Sequence, residues 1–222
     1  MLKLAVFDCD GTLVDSQFAI YACMADAFIS VGLPKPDIAD VRHVVGLPLV
    51  QSIEVIANDP SAPAEEMAKA YSKSWTSMRA EGRLTEPLFD GIIGVLDELL
   101  SSNWVLGVAT GKSMRGLEAT LDYHGLNHCF KTLQTADKAR GKPDPQMLEF
   151  ALAETGAMPN ETVMIGDTTY DIEMAKAAGI AAIGVSWGYH APEDLKTAGA
   201  SFIVDTAGEL GTLLNSKEGI FS

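Results

Sequence analysis

Cysteine is scarce in this sequence: Cys9, Cys23 and Cys129 are odd in number and unpatterned. That speaks against a disulfide framework and suits small core residues in a reducing cytoplasm. Basic charge is scarce too. Sixteen Lys and Arg face thirty Asp and Glu, for a net charge of −14. Nucleic acid and anionic membranes both favour basic patches, so neither is expected as a main partner. No apolar run is long enough to cross a bilayer. The short apolar start reads directly into a strand, which does not fit a signal peptide. Internal repeats and low-complexity segments are lacking as well. What is present is 222 residues at 47% hydrophobic content, enough for one large domain or one domain with an insert.

The most informative stretch is the start. Leu4-Ala-Val-Phe reads as a buried strand and runs into Asp8-Cys9-Asp10-Gly11-Thr12. Side chains alternate along a strand, so Asp8 and Asp10 are expected on one side and Cys9 on the other. Two acids there can hold a hard cation, and one can act as a nucleophile. Gly11 allows close backbone approach to a ligand. An acidic strand end followed by a turn is the plainer reading of this stretch alone.

Three later segments shift the balance. Trp104 to Thr110 is a second apolar strand, ending in Thr110-Gly111-Lys112-Ser113 at an apparent helix start, where backbone N–H groups favour an anion. Arg140-Gly-Lys142-Pro143-Asp144-Pro145 places Lys142 in a proline-stiffened loop. Thr162-Val-Met-Ile-Gly166-Asp167 is a third strand ending in an acid, with Asp171 one turn on. Strand ends and helix starts are where a doubly wound sheet gathers its ligand groups.

The chain changes texture along its length. Residues 15–86 have helical periodicity, as in Ala19, Cys23, Ala27 and Val31, and Ala64 to Arg83 reads as a long amphipathic helix. From Pro87 onward strand and helix signals alternate, which predicts a mostly parallel sheet with helices on both faces. The expected organisation is therefore an α/β, doubly wound, Rossmann-like core of residues 1–14 and 87–222, with an inserted α-helical cap at 15–86.

The order Asp-x-Asp-Gly-Thr, then Thr110, then Lys142, then Gly166-Asp167-x-x-x-Asp171 resembles the haloacid dehalogenase superfamily, within it the phosphoglycolate-phosphatase-like branch. The resemblance extends to the segment Trp187-Gly-Tyr-His190 and implies a Mg²⁺-dependent phosphatase hydrolysing a small phosphorylated metabolite through an aspartyl-phosphate. The chemistry is coherent. A carboxylate and a phosphate charge about 4 Å apart repel by about 4 kcal/mol at an effective dielectric of 20. A cation bridging Asp8, phosphate and Asp167 removes that penalty. Thr110, Lys142 and the backbone at Gly11 and Gly111 would bind the phosphoryl oxygens. Asp10 can protonate the leaving group and then activate water. The resemblance implies that Asp10 reaches the metal through its main-chain carbonyl. Asp171 is a ligand or an acid behind the ligands.

Other readings are weaker. Gly107 to Ser113 nearly matches a phosphate-binding loop but is one residue short between its glycines. A receiver-like signalling module would place its lysine last and carry no insert. A sugar-phosphate mutase of the same family stays open. In the insert, Arg42 and the Gly46-Leu-Pro48 turn are expected either to select substrate or to be a solvated side chain and a connecting turn. Monomer and homodimer are both compatible.

Overall fold

The computed structural model describes residues 2–216 and residue 220. Six strands form one parallel sheet: β1 (Lys3–Phe7), β2 (Trp104–Thr110), β3 (Thr132–Thr135), β4 (Thr162–Gly166), β5 (Ala181–Val185) and β6 (Phe202–Val204). Their spatial order is β3-β2-β1-β4-β5-β6. The chain winds outward from β1 through β2 to β3, then returns to start again at β4. The winding direction reverses between β1 and β4, and ligands gather beyond the carboxyl ends of strands at such a switch point.

The two-residue period of the strands builds two cores. Ala5 and Phe7 of β1 join Leu106 and Val108, Val163 and Ile165, and Ile183 and Val185 on one face. Helices α5 (Ile92–Ser101), α6 (Met114–His124) and α10 (Ala207–Asn215) cover that face. Leu4, Val6, Ala109, Met164 and Ala182 point to the other face, under α7 (Gln146–Thr155), α8 (Thr169–Ala177) and α9 (Pro192–Ala198). Strands buried on both faces read as continuous apolar runs, which makes β1, β2, β4 and β5 legible in the sequence; the short β6 is legible too.

Helices α1 (Gln17–Ser30), α2 (Ile38–Val44), α3 (Leu49–Ala57) and α4 (Ala64–Ala80) lie between β1 and α5 in the chain. They bury a third cluster, including Met24, Phe28, Val41, Ile53 and Met67, which also takes in Tyr189 from the loop after β5. The chain leaves and re-enters the sheet side by side. Asp15 N–H donates to Pro87 O at 2.8 Å, and Phe89 N–H donates to Leu13 O at 3.1 Å. The helix expected to reach Arg83 ends at Ala80, where the chain turns at Gly82 (φ +65°). All three cysteines are free and buried. Among the described residues, no helix is long and apolar enough to cross a membrane.

Candidate active site

The site is assembled from loops that follow four strands. Asp8 stands one residue past β1, and Asp167 one residue past the adjacent β4. Strand pairing sets Phe7 beside Ile165, so the two acids emerge together. Asp171 lies in the first turn of α8, fixed by a capping box: Thr168 N–H and Oγ both donate to Asp171 Oδ2, at 3.1 and 2.7 Å. Carboxylate oxygens of Asp8, Asp167 and Asp171 lie within 4.8 Å of one another, all buried.

One cation enters this cluster. Lys142 is buried, with Nζ 2.8 Å from Asp8 Oδ1 and 2.6 Å from Asp171 Oδ1. Its peptide bond to Pro143 is cis. Burial alone would lower the ammonium's pKa, but the charges of Asp171 and Asp8 outweigh it and raise it. Among the described residues, three buried carboxylates against one ammonium leave an excess of negative charge. The acids respond accordingly. Burial pushes Asp8 up from 3.8 to about 7 despite the pull of Lys142. Burial, reinforced by the charges of Asp8 and Asp171, pushes Asp167 well up.

The remaining lone pairs are distributed unevenly. Each oxygen of Asp167 has one donor, Thr12 Oγ to Oδ1 at 2.8 Å and Tyr189 N–H to Oδ2 at 2.9 Å, which leaves a lone pair on each. Asp8 Oδ1 accepts from Cys9 N–H at 2.6 Å, whereas Asp8 Oδ2 is buried with no hydrogen-bond donor among the described residues. An orphaned carboxylate oxygen in an over-negative pocket fits a divalent cation, whose hard oxygen ligands these are. Glycines make the room. A Cβ on Gly11 (φ +84°) would fall 2.2 Å from Asp167 Oδ2, and one on Gly188 would fall 2.1 Å from Asp167 Cβ. The Gly11 N–H donates to Val14 O at 2.9 Å. Gly11 therefore gives the site space and not a free donor.

Asp10 stands apart from this trio. Its Oδ1 accepts from Ser16 Oγ and forms an ion pair with Lys112 Nζ at 2.9 Å. Lys112 also faces Glu86 at 3.9 Å and sits 4.5 Å from the centre of the Trp75 ring. Glu86 is buried and bridges Arg79 Nη2 at 2.6 Å and Thr120 Oγ1 at 3.1 Å. Sequence reasoning missed this chain of charges, which runs from the end of β1 to helix α4. In the sequence Lys112 falls inside the near-match to a phosphate-binding loop, and nothing local marks it as a partner of Asp10.

Above the acids opens a cavity of about 680 Å³. Asp8, Asp10, Thr110 and Gly111 line it from the sheet side, and Gly46 with Leu47 and Pro48 from the helical side. The two sides approach closely. A Cβ on Gly111 would lie 3.0 Å from the carbonyl oxygens of Gly46 and Leu47. Thr110 is buried, and its Oγ1 accepts from Lys112 N–H at 3.3 Å. Arg42 is not among the cavity's lining residues. Its guanidinium donates to Gly188 O at 3.4 Å and lies 5.9 Å from the centre of the Tyr189 ring. The structure thus brings Asp8, Asp10, Thr110, Gly111 and Gly46 to one cavity, sets Lys142, Asp167 and Asp171 behind Asp8, and leaves Arg42 at the seam.

This sheet, with its acids at the switch point, belongs to a known class. The chain is a member of the haloacid dehalogenase-like hydrolases, whose family model matches residues 5–185. It is thus an enzyme of the hydrolase type. A probable phosphatase, IndB, of Dickeya dadantii is 36% identical over 95% of this chain and 92% of its own. A phosphoglycolate phosphatase of Vibrio cholerae is 30% identical, covering 96% of each chain. The crystal structure of a predicted phosphatase from Clostridium acetobutylicum superposes with a TM-score of 0.86 at 26% identity, covering 96% of this chain and 98% of that one.

Proposed function

We propose that the protein is a Mg²⁺-dependent phosphatase that hydrolyses a small phosphorylated metabolite, with Asp8 as nucleophile and α1–α4 as a cap over the site. The observation that carries this reading is Asp8 Oδ2, a buried carboxylate oxygen with no donor among the described residues, on an acid that lines the cavity and has Asp167 and Asp171 beside it. The named relatives support the same reaction class.

Asp8, Asp167 and, directly or through water, Asp171 would hold the cation, with the main-chain carbonyl of Asp10 as a further ligand. Bound there, it would neutralise the repulsion between carboxylate and phosphate. Asp8 attacks phosphorus. A bond from its carboxylate oxygen to phosphorus forms as the ester P–O bond breaks. Asp10, whose side chain is held outside the acid trio, must carry a proton when the ester bond breaks, and gives it to the departing alkoxide. It then takes a proton from the water that cleaves the aspartyl-phosphate. Lys142 stabilises negative charge behind Asp8. Thr110 accepts from Lys112 N–H through its oxygen, so its own hydroxyl hydrogen is available to a phosphoryl oxygen. The helical segment closes the cavity and excludes water, which strengthens each of these contacts.

The test is phosphate release from a panel of phosphomonoesters by EDTA-stripped protein, before and after Mg²⁺ is added. Activity should appear only with metal. Full turnover in EDTA would overturn the reading.

A further inference from the structure

We propose that the leaving alcohol of the preferred substrate carries an aromatic ring, seated against a shelf made by Tyr71 and Trp75. This rests on the phosphatase reading and names the substrate class for that same site. Three observations converge on it. The first is size. The cavity of about 680 Å³ is in the middle of the range of about 300–1,000 Å³ for small-molecule sites, and a two-carbon leaving group would leave most of it to water.

The second is the chemistry of the wall. Tyr71 and Trp75 stand one helical turn apart on α4, with ring centres 6.0 Å apart and planes within 18°. Both line the cavity, as do Ile20, Met24, Val44 and Leu47. An aromatic body gains there from apolar burial and from offset or edge contacts with the two rings.

The third is the state of the cations. A second anionic group on the substrate would need a free positive charge. Lys112 is already paired with Asp10 at 2.9 Å, and Arg79 with the buried Glu86 at 2.6 Å. Both cations also face the buried Glu86, Lys112 at 3.9 Å and Arg79 at 2.6 Å, and turning either to another anion would weaken the pairing of that buried charge. Arg115 lines the cavity but is exposed to solvent, where an ion pair contributes little. The site therefore favours an apolar, planar leaving group over a short diacid such as phosphoglycolate.

The experiment compares benzyl phosphate, ethyl phosphate and 2-phosphoglycolate, whose leaving alkoxides are of similar basicity, so that kcat/KM reports recognition of the leaving group. Benzyl phosphate should exceed both others at least tenfold. In parallel, calorimetry with Mg²⁺ compares benzylphosphonate with ethylphosphonate, which bind without turning over, and the benzyl compound should bind at least tenfold tighter. Trp75→Leu should cut the benzyl-to-ethyl ratio at least fivefold, while Trp75→Phe should keep it within twofold. Hydrolysis with no benzyl preference, or with phosphoglycolate preferred, overturns the aromatic assignment alone. Tighter benzylphosphonate binding with no hydrolysis of any ester sustains the shelf and overturns the phosphatase reading. An unchanged ratio in Trp75→Leu removes Trp75 from the assignment.

Discussion

Lys142 is the point at which the electrostatics of the site can be tested most directly. Lys142→Met keeps an unbranched stem of similar length and deletes the charge. The ammonium is wholly buried, 2.8 Å from Asp8 and 2.6 Å from Asp171. Removing one member of a buried ion pair costs about 3–5 kcal/mol, because the remaining charge is left unpaired. At about 2–4 °C per kcal/mol for a chain of this size, the midpoint of thermal unfolding in EDTA at pH 7.5 should fall by about 6–20 °C. The pH dependence gives the mechanism a sign. Burial already lifts Asp8 from 3.8 to about 7, against the pull of Lys142, so losing Lys142 lifts it further. Between the unfolded and folded values the native state holds the extra proton. Stability therefore falls as pH rises through that window. The variant should recover as pH drops from 8 toward 5, and its deficit against the parent should shrink. The double variant Lys142→Met with Asp171→Asn should be less impaired than Lys142→Met alone. Equal midpoints at pH 7.5 in EDTA, or a deficit that grows on acidification, would refute the account.

Asp8→Asn should abolish both turnover and formation of an acid-precipitable phospho-enzyme. Asp10→Asn should lose about 10²–10⁴-fold in rate and accumulate the phospho-enzyme when the leaving group is a good one. Rapid-quench labelling with a ³²P substrate distinguishes the two. Gly141→Ala should destabilise the protein by about 1–3 kcal/mol, since the new Cβ would fall 2.1 Å from Pro48 Cγ. Denaturant melts read this, and a neutral result would mean that the Pro48 loop yields freely. Arg42→Ala should cost about 0.5–1 kcal/mol through its lost contact with the Tyr189 ring. It should change kcat/KM for phosphoglycolate and for p-nitrophenyl phosphate in equal proportion, whereas a selective rise in KM for the diacid would restore Arg42 to substrate selection.

Much of the sheet was legible because its strands are buried on both faces and so read as apolar runs closed by a polar residue. β1, β2, β4 and β5 all follow that rule. β3 does not. Thr132-Leu-Gln-Thr135 looks like a loop, and it is an edge strand whose polar groups are met from outside the strand. Thr132 Oγ and Gln134 Nε2 both donate to Glu154 on α7. A strand stabilised by a helix 20 residues away leaves no periodic trace in its own sequence. Lys112 was hidden for a related reason. Its partners are Asp10 and Glu86, and only the return of the chain at Pro87 brings Glu86 under α6.

Arg42 shows the converse, a position that local pattern could have placed. A helix turns about 100° per residue. Val41, Val44 and Val45, at i, i+3 and i+4, form one apolar stripe, and all three line the cavity. Arg42 is one step around from Val41, which carries its side chain off that stripe and toward Gly188. Beside the Gly46-Leu-Pro48 turn, the sequence leaves Arg42 open between substrate selection and a solvated side chain. The phase of the valines excludes it from the cavity's lining and leaves Gly46, beyond the helix end, to reach the cavity with Leu47. A charge beside a binding loop is thus a candidate for recognition only when the helical phase also turns it inward.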